Sequence, residues 1–186
     1  KYNYAYETQE QEELSNRKMY WPRGKGWGGS SSINGMIYIR GHAFDYNLWS
    51  QLGNSGWSYE DVLPYFKKSE SFQGENSSEY HGFNGPLSVT KAKRTDDLLL
   101  EKFIEAGQQA GHPLTEDFNG KDQEGVSRYE HTMIGSRRCS AAKAYLHPAL
   151  GRKNLETQLN VTVNKVIMDG DKAIGCLLYT SDAADE

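Results

Sequence analysis

The chain has 186 residues, 21 Lys plus Arg against 25 Asp plus Glu and a formal charge of −4, with a pI near 5.8 and a mean hydropathy of −0.78. That length suits one domain, and the acidic balance argues against a general nucleic-acid binder, which would show a basic stripe. No stretch approaches the roughly 18 apolar residues of a membrane span; twelve Tyr and four Trp are not the composition of a disordered chain, and two Cys do not make a disulfide framework.

Residues 1–8 alternate like a strand entered in mid-course, and residues 1–13 carry no signal-peptide pattern, so the N-terminus reads as internal to a longer protein. Residues 20–41 are the densest stretch. Glycines and serines are set there among Trp, Tyr and Ile, a mixture that suits a loop pressed against a ligand better than a linker. Residues 44–52 predict a short helix with Phe44, Leu48 and Leu52 on one side. Ser58 with Asp61 three residues on predicts the cap of a second helix, which Pro64 should kink or delay. Residues 69–84 are polar and Gly-rich and read as a surface loop; residues 86–90 alternate as a strand. A helix is predicted over 96–111, capped by Thr95, with Leu99, Phe103, Ala106 and Ala110 in one apolar stripe. A turn at Phe118–Asn119–Gly120, a small-residue helix over 140–150 and a strand around Val161 and Val163 complete the reading. Residues 168–172 form a turn into a further strand.

Gly24-Lys25-Gly26-Trp27-Gly28-Gly29 satisfies G-x-G-x-x-G, but Pro22 and Arg23 precede it where a dinucleotide fingerprint needs a buried strand. A ligand loop remains the better reading. Glycines bare the backbone N–H groups, and Ser30, Ser31, Ser32 and Asn34 add hydroxyls and an amide, a surface suited to phosphate or a heteroaromatic edge. The five histidines lack metal or triad spacing and read as structural or solvated. Cys139 reads as a buried small residue. Arg137 and Arg138 read as partners of acids.

The run Gly24-Lys25-x-Trp27-Gly28-Gly29-Ser30-Ser31-x-Ile33-Asn34, with Tyr38 and Gly41, resembles the first signature of the glucose–methanol–choline (GMC) oxidoreductases. Asp45 and Trp49, the Tyr80-His81-Gly82-x-x-Gly85-Pro86-Leu87 run, Asp117-Phe118-Asn119-Gly120 and Ala144-Tyr145-Leu146 follow in the family's sequence. The resemblance implies an α/β (mixed α+β) fragment: part of an FAD-binding Rossmann-like domain and part of a β-sheet substrate domain, incomplete at both ends. Residues 1–68 and 151–175 would belong to the first and residues 69–150 to the second. Residues 176–186 resemble a translated transposon-end sequencing adapter and are expected to be non-native.

The resemblance further implies FAD as cofactor. Gly28, Gly29 and Ser30 would face its pyrophosphate side, Asn34, Gly35 and Ile37 would lie along the isoalloxazine, and Val163 would meet the adenine. Ile33 stands where some members carry a histidine joined covalently to the flavin, so non-covalent FAD is implied. The implied reaction passes hydride from choline or a primary alcohol to flavin N5, giving the aldehyde, with a quinone or dye-like electron acceptor. The family's catalytic histidine is expected beyond residue 175, so the 186-residue polypeptide alone is expected to be inactive. A non-redox, lyase-like or binding-only relative, or an oxidase using O2, remain alternatives. Location is expected to be cytoplasmic or peripheral to a membrane.

Overall fold

The structure is a computed structural model that describes residues 1–74, 79–91 and 97–180. Near the start, β1 (Tyr6–Glu7) pairs antiparallel with β2 (Tyr20–Trp21), Tyr6 opposite Trp21. The strand expected over residues 1–8 is interrupted because Ala5 takes a φ of 53°, outside the extended region. Asn3 pairs separately with Gly24 and so fastens the N-terminus to the glycine-rich loop. After that loop comes β3 (Ile37–Tyr38), then α1 (Ala43–Gln51).

His42 caps α1 reciprocally: its ring nitrogen accepts from the Phe44 amide, and the Asp45 carboxylate accepts from the His42 amide. Helix α2 (Tyr59–Ser69) begins at the Ser58–Asp61 capping box that the sequence predicts. Pro64 lies inside it and does not delay its start. The two helices meet through Tyr46, whose ring packs edge-on against Phe66 at 5.6 Å.

The central sheet has four strands in the order β3–β6–β5–β4. β4 (Glu70–Phe72) runs parallel to β5 (Leu87–Lys91), and β6 (Glu130–His131) pairs antiparallel with both β5 and β3. β3 thus joins the N-terminal region to the sheet built by residues 70–131. Here the structure corrects the sequence reading of residues 69–84. Instead of a surface loop, they supply β4 and some of the most buried side chains of the molecule: Glu70, Phe72 and His81. Glu70 and His81 are charged but internal, because Glu70 finds Arg40 and His81, and His81 finds Asp117 as well.

Helix α3 (Leu98–Gln109) is capped by Asp97, whose carboxylate accepts from the Leu99 and Leu100 amides; Thr95 lies outside the described residues. The stripe of Leu99, Phe103, Ala106 and Ala110 faces outward, with Leu99 83% and Phe103 71% exposed. Leu100, Ile104 and Gly107 turn toward the body instead, and a Cβ on Gly107 would lie 2.7 Å from Val126. Apolar periodicity identified the helix but could not choose between two adjacent stripes.

β7 (Met133–Ile134) and β8 (Arg137–Arg138) form a tight hairpin leading to buried Cys139. A π-helical turn, Ala142–Leu146, continues into α4 (His147–Ala149). The chain ends in a long hairpin of β9 (Val161–Asp169) and β10 (Lys172–Thr180), turned at Gly170, in which Cys176 pairs with Val166. Residues 181–186 lie outside the described residues.

Candidate functional site

The glycine-rich segment is a compact 3₁₀ turn, Gly29–Ser32, entered through Gly28 at a φ of 84°. It is no strand-to-helix crossover, so the G-x-G-x-x-G match is not a dinucleotide fingerprint. Serines hold the turn from within. The Ser31 hydroxyl donates to the Gly28 carbonyl at 2.5 Å and accepts from the Ala141 amide at 2.9 Å, pinning the loop to the start of the following helix. Ser32 donates to the Trp27 carbonyl at 2.8 Å, and the Gly24 amide donates to Ser30 at 3.2 Å.

One side of the ribbon is therefore tight: a Cβ on Gly24 would stand 2.0 Å from the Gly29 carbonyl oxygen, and one on Gly28 2.5 Å from the Ser32 hydroxyl. The other side is open. At Gly29 and Gly35 a Cβ would meet nothing within 4 Å, and the amides of Gly28, Ser30 and Gly35 have no acceptor among the described residues. Replacing Gly24 by alanine should cost on the order of 2 kcal/mol, because the clash is with backbone and the turn must move. Urea unfolding of the full-length protein checks this.

The predicted site residues divide into two groups. Gly28, Gly29, Ser30, Asn34 and Gly35 come together in this ribbon, and Ile37 follows on β3, half-exposed. Val163 stands apart on β9, 57% exposed, in a hairpin packed chiefly on itself. Beside the ribbon lies an open pocket of about 460 Å³, within the usual range for small-molecule sites. Gly28, Ala142, Tyr145, Arg152 and Asn154 contribute to its wall.

Sequence reading missed Arg138. Far from pairing with an acid, its guanidinium donates through Nη1 to the Ser31 carbonyl at 3.1 Å and to Asn34 Oδ1 at 2.6 Å. Only the folded hairpin β7–β8 brings residue 138 back to residue 34.

Behind β3 lies a buried charge cluster. Arg40 donates to Glu70 at 2.8 Å, to the Tyr80 carbonyl at 2.7 Å and to the Tyr38 hydroxyl at 3.2 Å. Glu70 also accepts from the Gly82 amide at 3.0 Å and faces His81 Nδ1 at 3.1 Å, while His81 Nε2 lies 2.7 Å from Asp117. Burial opposes charge on His81, yet the hydrogen bonds to Asp117 and Glu70 prevail and raise its pKa to about 9. At neutral pH it is imidazolium, stacked 4.0 Å from the Phe72 ring. Burial pushes Asp117 up, but its bonds to His81 and the Asn119 amide hold it below the ordinary carboxylate range.

Asn119 extends the cluster by accepting from the Arg40 amide at 2.8 Å and donating to the Tyr38 carbonyl and to Glu130. Burial raises the Glu130 pKa, and its Oε1 has no hydrogen-bond partner among the described residues. The cluster thus clamps β3, the strand that leaves the ribbon. Among the described residues no group of His, Cys, Asp and Glu could hold a metal ion, and no helix is long and apolar enough to cross a membrane.

A family profile described as GMC oxidoreductase matches residues 8–185. The chain belongs to the GMC oxidoreductase family. It is 48% identical over 175 residues to mitochondrial choline dehydrogenase of Homo sapiens, covering 94% of this chain and 29% of that protein. With the oxygen-dependent choline dehydrogenase of Rhizobium johnstonii it shares 49% identity over 170 residues, 91% of this chain and 31% of the relative.

The fold matches the crystal structure of pyridoxine 4-oxidase from Mesorbium loti with a TM-score of 0.89 and 31% identity, over 97% of this chain and 36% of that one. An FAD-dependent oxidoreductase from Chaetomium thermophilum also gives a TM-score of 0.89, at 26% identity, over 100% of this chain and 34% of that one. The chain therefore spans about a third of the length of these relatives. Their shared mixed α/β architecture agrees with the fold class expected from sequence.

Proposed function

We propose that this GMC chain forms one wall of the FAD site of an oxidoreductase acting on CH–OH donors, with choline or another primary alcohol as substrate and the aldehyde as product. The observation that carries the reading is the ribbon Gly28–Gly35, closed by serine hydrogen bonds on one side and open on the other, with free amides along it. The donor set suits a pyrophosphate and the heteroatom edge of a flavin. Gly28, Gly29 and Ser30 would hold the pyrophosphate side, Asn34, Gly35 and Ile37 the isoalloxazine, and Val163 the adenine. In this reading residues 1–68 and 151–175 serve FAD, residues 69–150 the substrate domain, and residues 176–186 are non-native.

When bound, FAD supplies the acceptor for the hydride leaving the carbinol carbon. The chain's own residues bind and orient: the amides of Gly28 and Ser30 offer hydrogen bonds to anionic oxygens, and the clamp on β3 holds Ile37 in register. The base that takes the alcohol proton is proposed to come from a histidine outside this span. Ile33 has no nucleophilic atom, so FAD is bound non-covalently here. A quinone or dye-like acceptor would take up the electrons in the full enzyme, with a cytoplasmic or peripheral membrane location.

The full-length protein should be purified yellow, release its flavin into the supernatant on acid precipitation, and reduce an artificial dye with choline or butanol. A colourless, dye-inactive protein would refute the FAD reading. Flavin retained in the acid pellet as a covalent adduct would refute the non-covalent one.

A further inference from the structure

We propose that Arg138 is a positioning residue that fixes which face of the Asn34 amide is offered to the flavin, an inference that rests on the FAD reading above. A side-chain amide has one accepting end and one donating end, and the two are interchangeable unless neighbours choose between them. Here two neighbours choose. Arg138 Nη1 lies 2.6 Å and the Met36 amide nitrogen 3.1 Å from Asn34 Oδ1. Both are obligatory donors, since guanidinium has no acceptor capacity and stays charged at every accessible pH. Only the oxygen can sit between them.

The NH₂ end is therefore turned away from Arg138. It has no partner among the described residues, and it belongs to a run, Ile33 to Gly35, that is exposed on the open side of the ribbon. A free, oriented donor on that side fits a ligand atom that accepts, such as a carbonyl or imine nitrogen at a heteroaromatic edge. The same guanidinium nitrogen also holds the Ser31 carbonyl at 3.1 Å. One cation thus ties the turn and the amide into a single geometry.

The test uses the full-length protein and titrates FAD into the deflavinated form. Asn34→Asp is the decisive variant. It keeps an oxygen for Arg138 and Met36, and so keeps the clamp, but replaces the outward donor by an acceptor. FAD affinity should fall about 10- to 100-fold, with altered visible flavin bands and an unchanged thermal midpoint of the apoprotein. Arg138→Met should weaken FAD comparably, and the double variant should lose less than the product of the two single effects. Arg138→Lys, which keeps a cationic donor on a side chain of different length and shape, should recover part of the loss.

If Asn34→Asp binds FAD with wild-type affinity and spectrum, the proposal is overturned while the FAD reading stands. Fully multiplicative effects in the double variant would overturn it too, because a clamp that merely stiffens the loop is independent of the amide's polarity. A wild-type protein that takes up no FAD overturns both.

Discussion

Replacement of Arg40 by methionine is expected to destabilise the full-length protein by about 3–5 kcal/mol, the range found when one partner of a buried ion pair is removed. The side chains of Arg40 and Glu70 are 2% and 0% exposed. Deleting the cation leaves the Glu70 carboxylate with His81 and the Gly82 amide but without its 2.8 Å charge-assisted bond. It also releases the Tyr80 carbonyl and the Tyr38 hydroxyl, so three acceptors lose a donor at once.

The effect should be strongly non-additive with Glu70→Gln, since both changes act on one network. Equilibrium urea denaturation of the two single variants and the double variant measures this. Loss of less than about 1 kcal/mol from Arg40→Met would mean that the cluster is not holding β3. Because β3 carries Ile37 and continues from Asn34, the variant should also bind FAD more weakly.

Stability should also decline with alkaline pH through His81. Its pKa is about 9 in the folded protein against an ordinary 6.5. A raised folded-state pKa means that the native state binds the proton more tightly than the unfolded chain. The contribution is complete below pH 6.5, diminishes as the unfolded chain deprotonates, and is gone once pH exceeds about 9. The shift corresponds to roughly 3 kcal/mol across that window.

Asp117 acts in the opposite sense. Its lowered pKa contributes above the ordinary carboxylate value and is lost as pH falls. Denaturant midpoints of wild type and His81→Gln between pH 6 and 10 read the His81 contribution by itself, because Asp117 stays ionised across that interval and the glutamine variant should lack the alkaline decline. A wild-type profile that is flat over that interval would show that His81 is neutral in the fold.

Local patterns sufficed where the cause of structure is local. The Ser58–Asp61 spacing set the start of α2, because a cap satisfies backbone donors within one turn. The Gly28–Gly29–Ser30 run with Asn34 marked the ribbon, because glycine permits the positive φ at Gly28 and hydroxyls close the turn on itself. The order of these motifs along the chain was enough to indicate the GMC family, and with it the expected cofactor.

What the sequence misjudged depends on distant partners. The Glu70–Gln73 and Tyr80–Phe83 segments look like solvated loop because they are polar. Arg40 and Asp117 arrive from 30 and 36 residues away in the chain to neutralise Glu70 and His81. The periodicity of α3 marks an apolar stripe, but period alone cannot say which of two neighbouring faces meets Val126. Arg138 was assigned an acid because charge suggests its opposite, while the fold offered it the carbonyl of Ser31 and the amide of Asn34. The ribbon and the family are written in contiguous residues and can be read from them directly. What holds the ribbon and how Asn34 is turned depend on Arg138 and Ala141, residues remote in the chain and adjacent in space, which folding alone brings together.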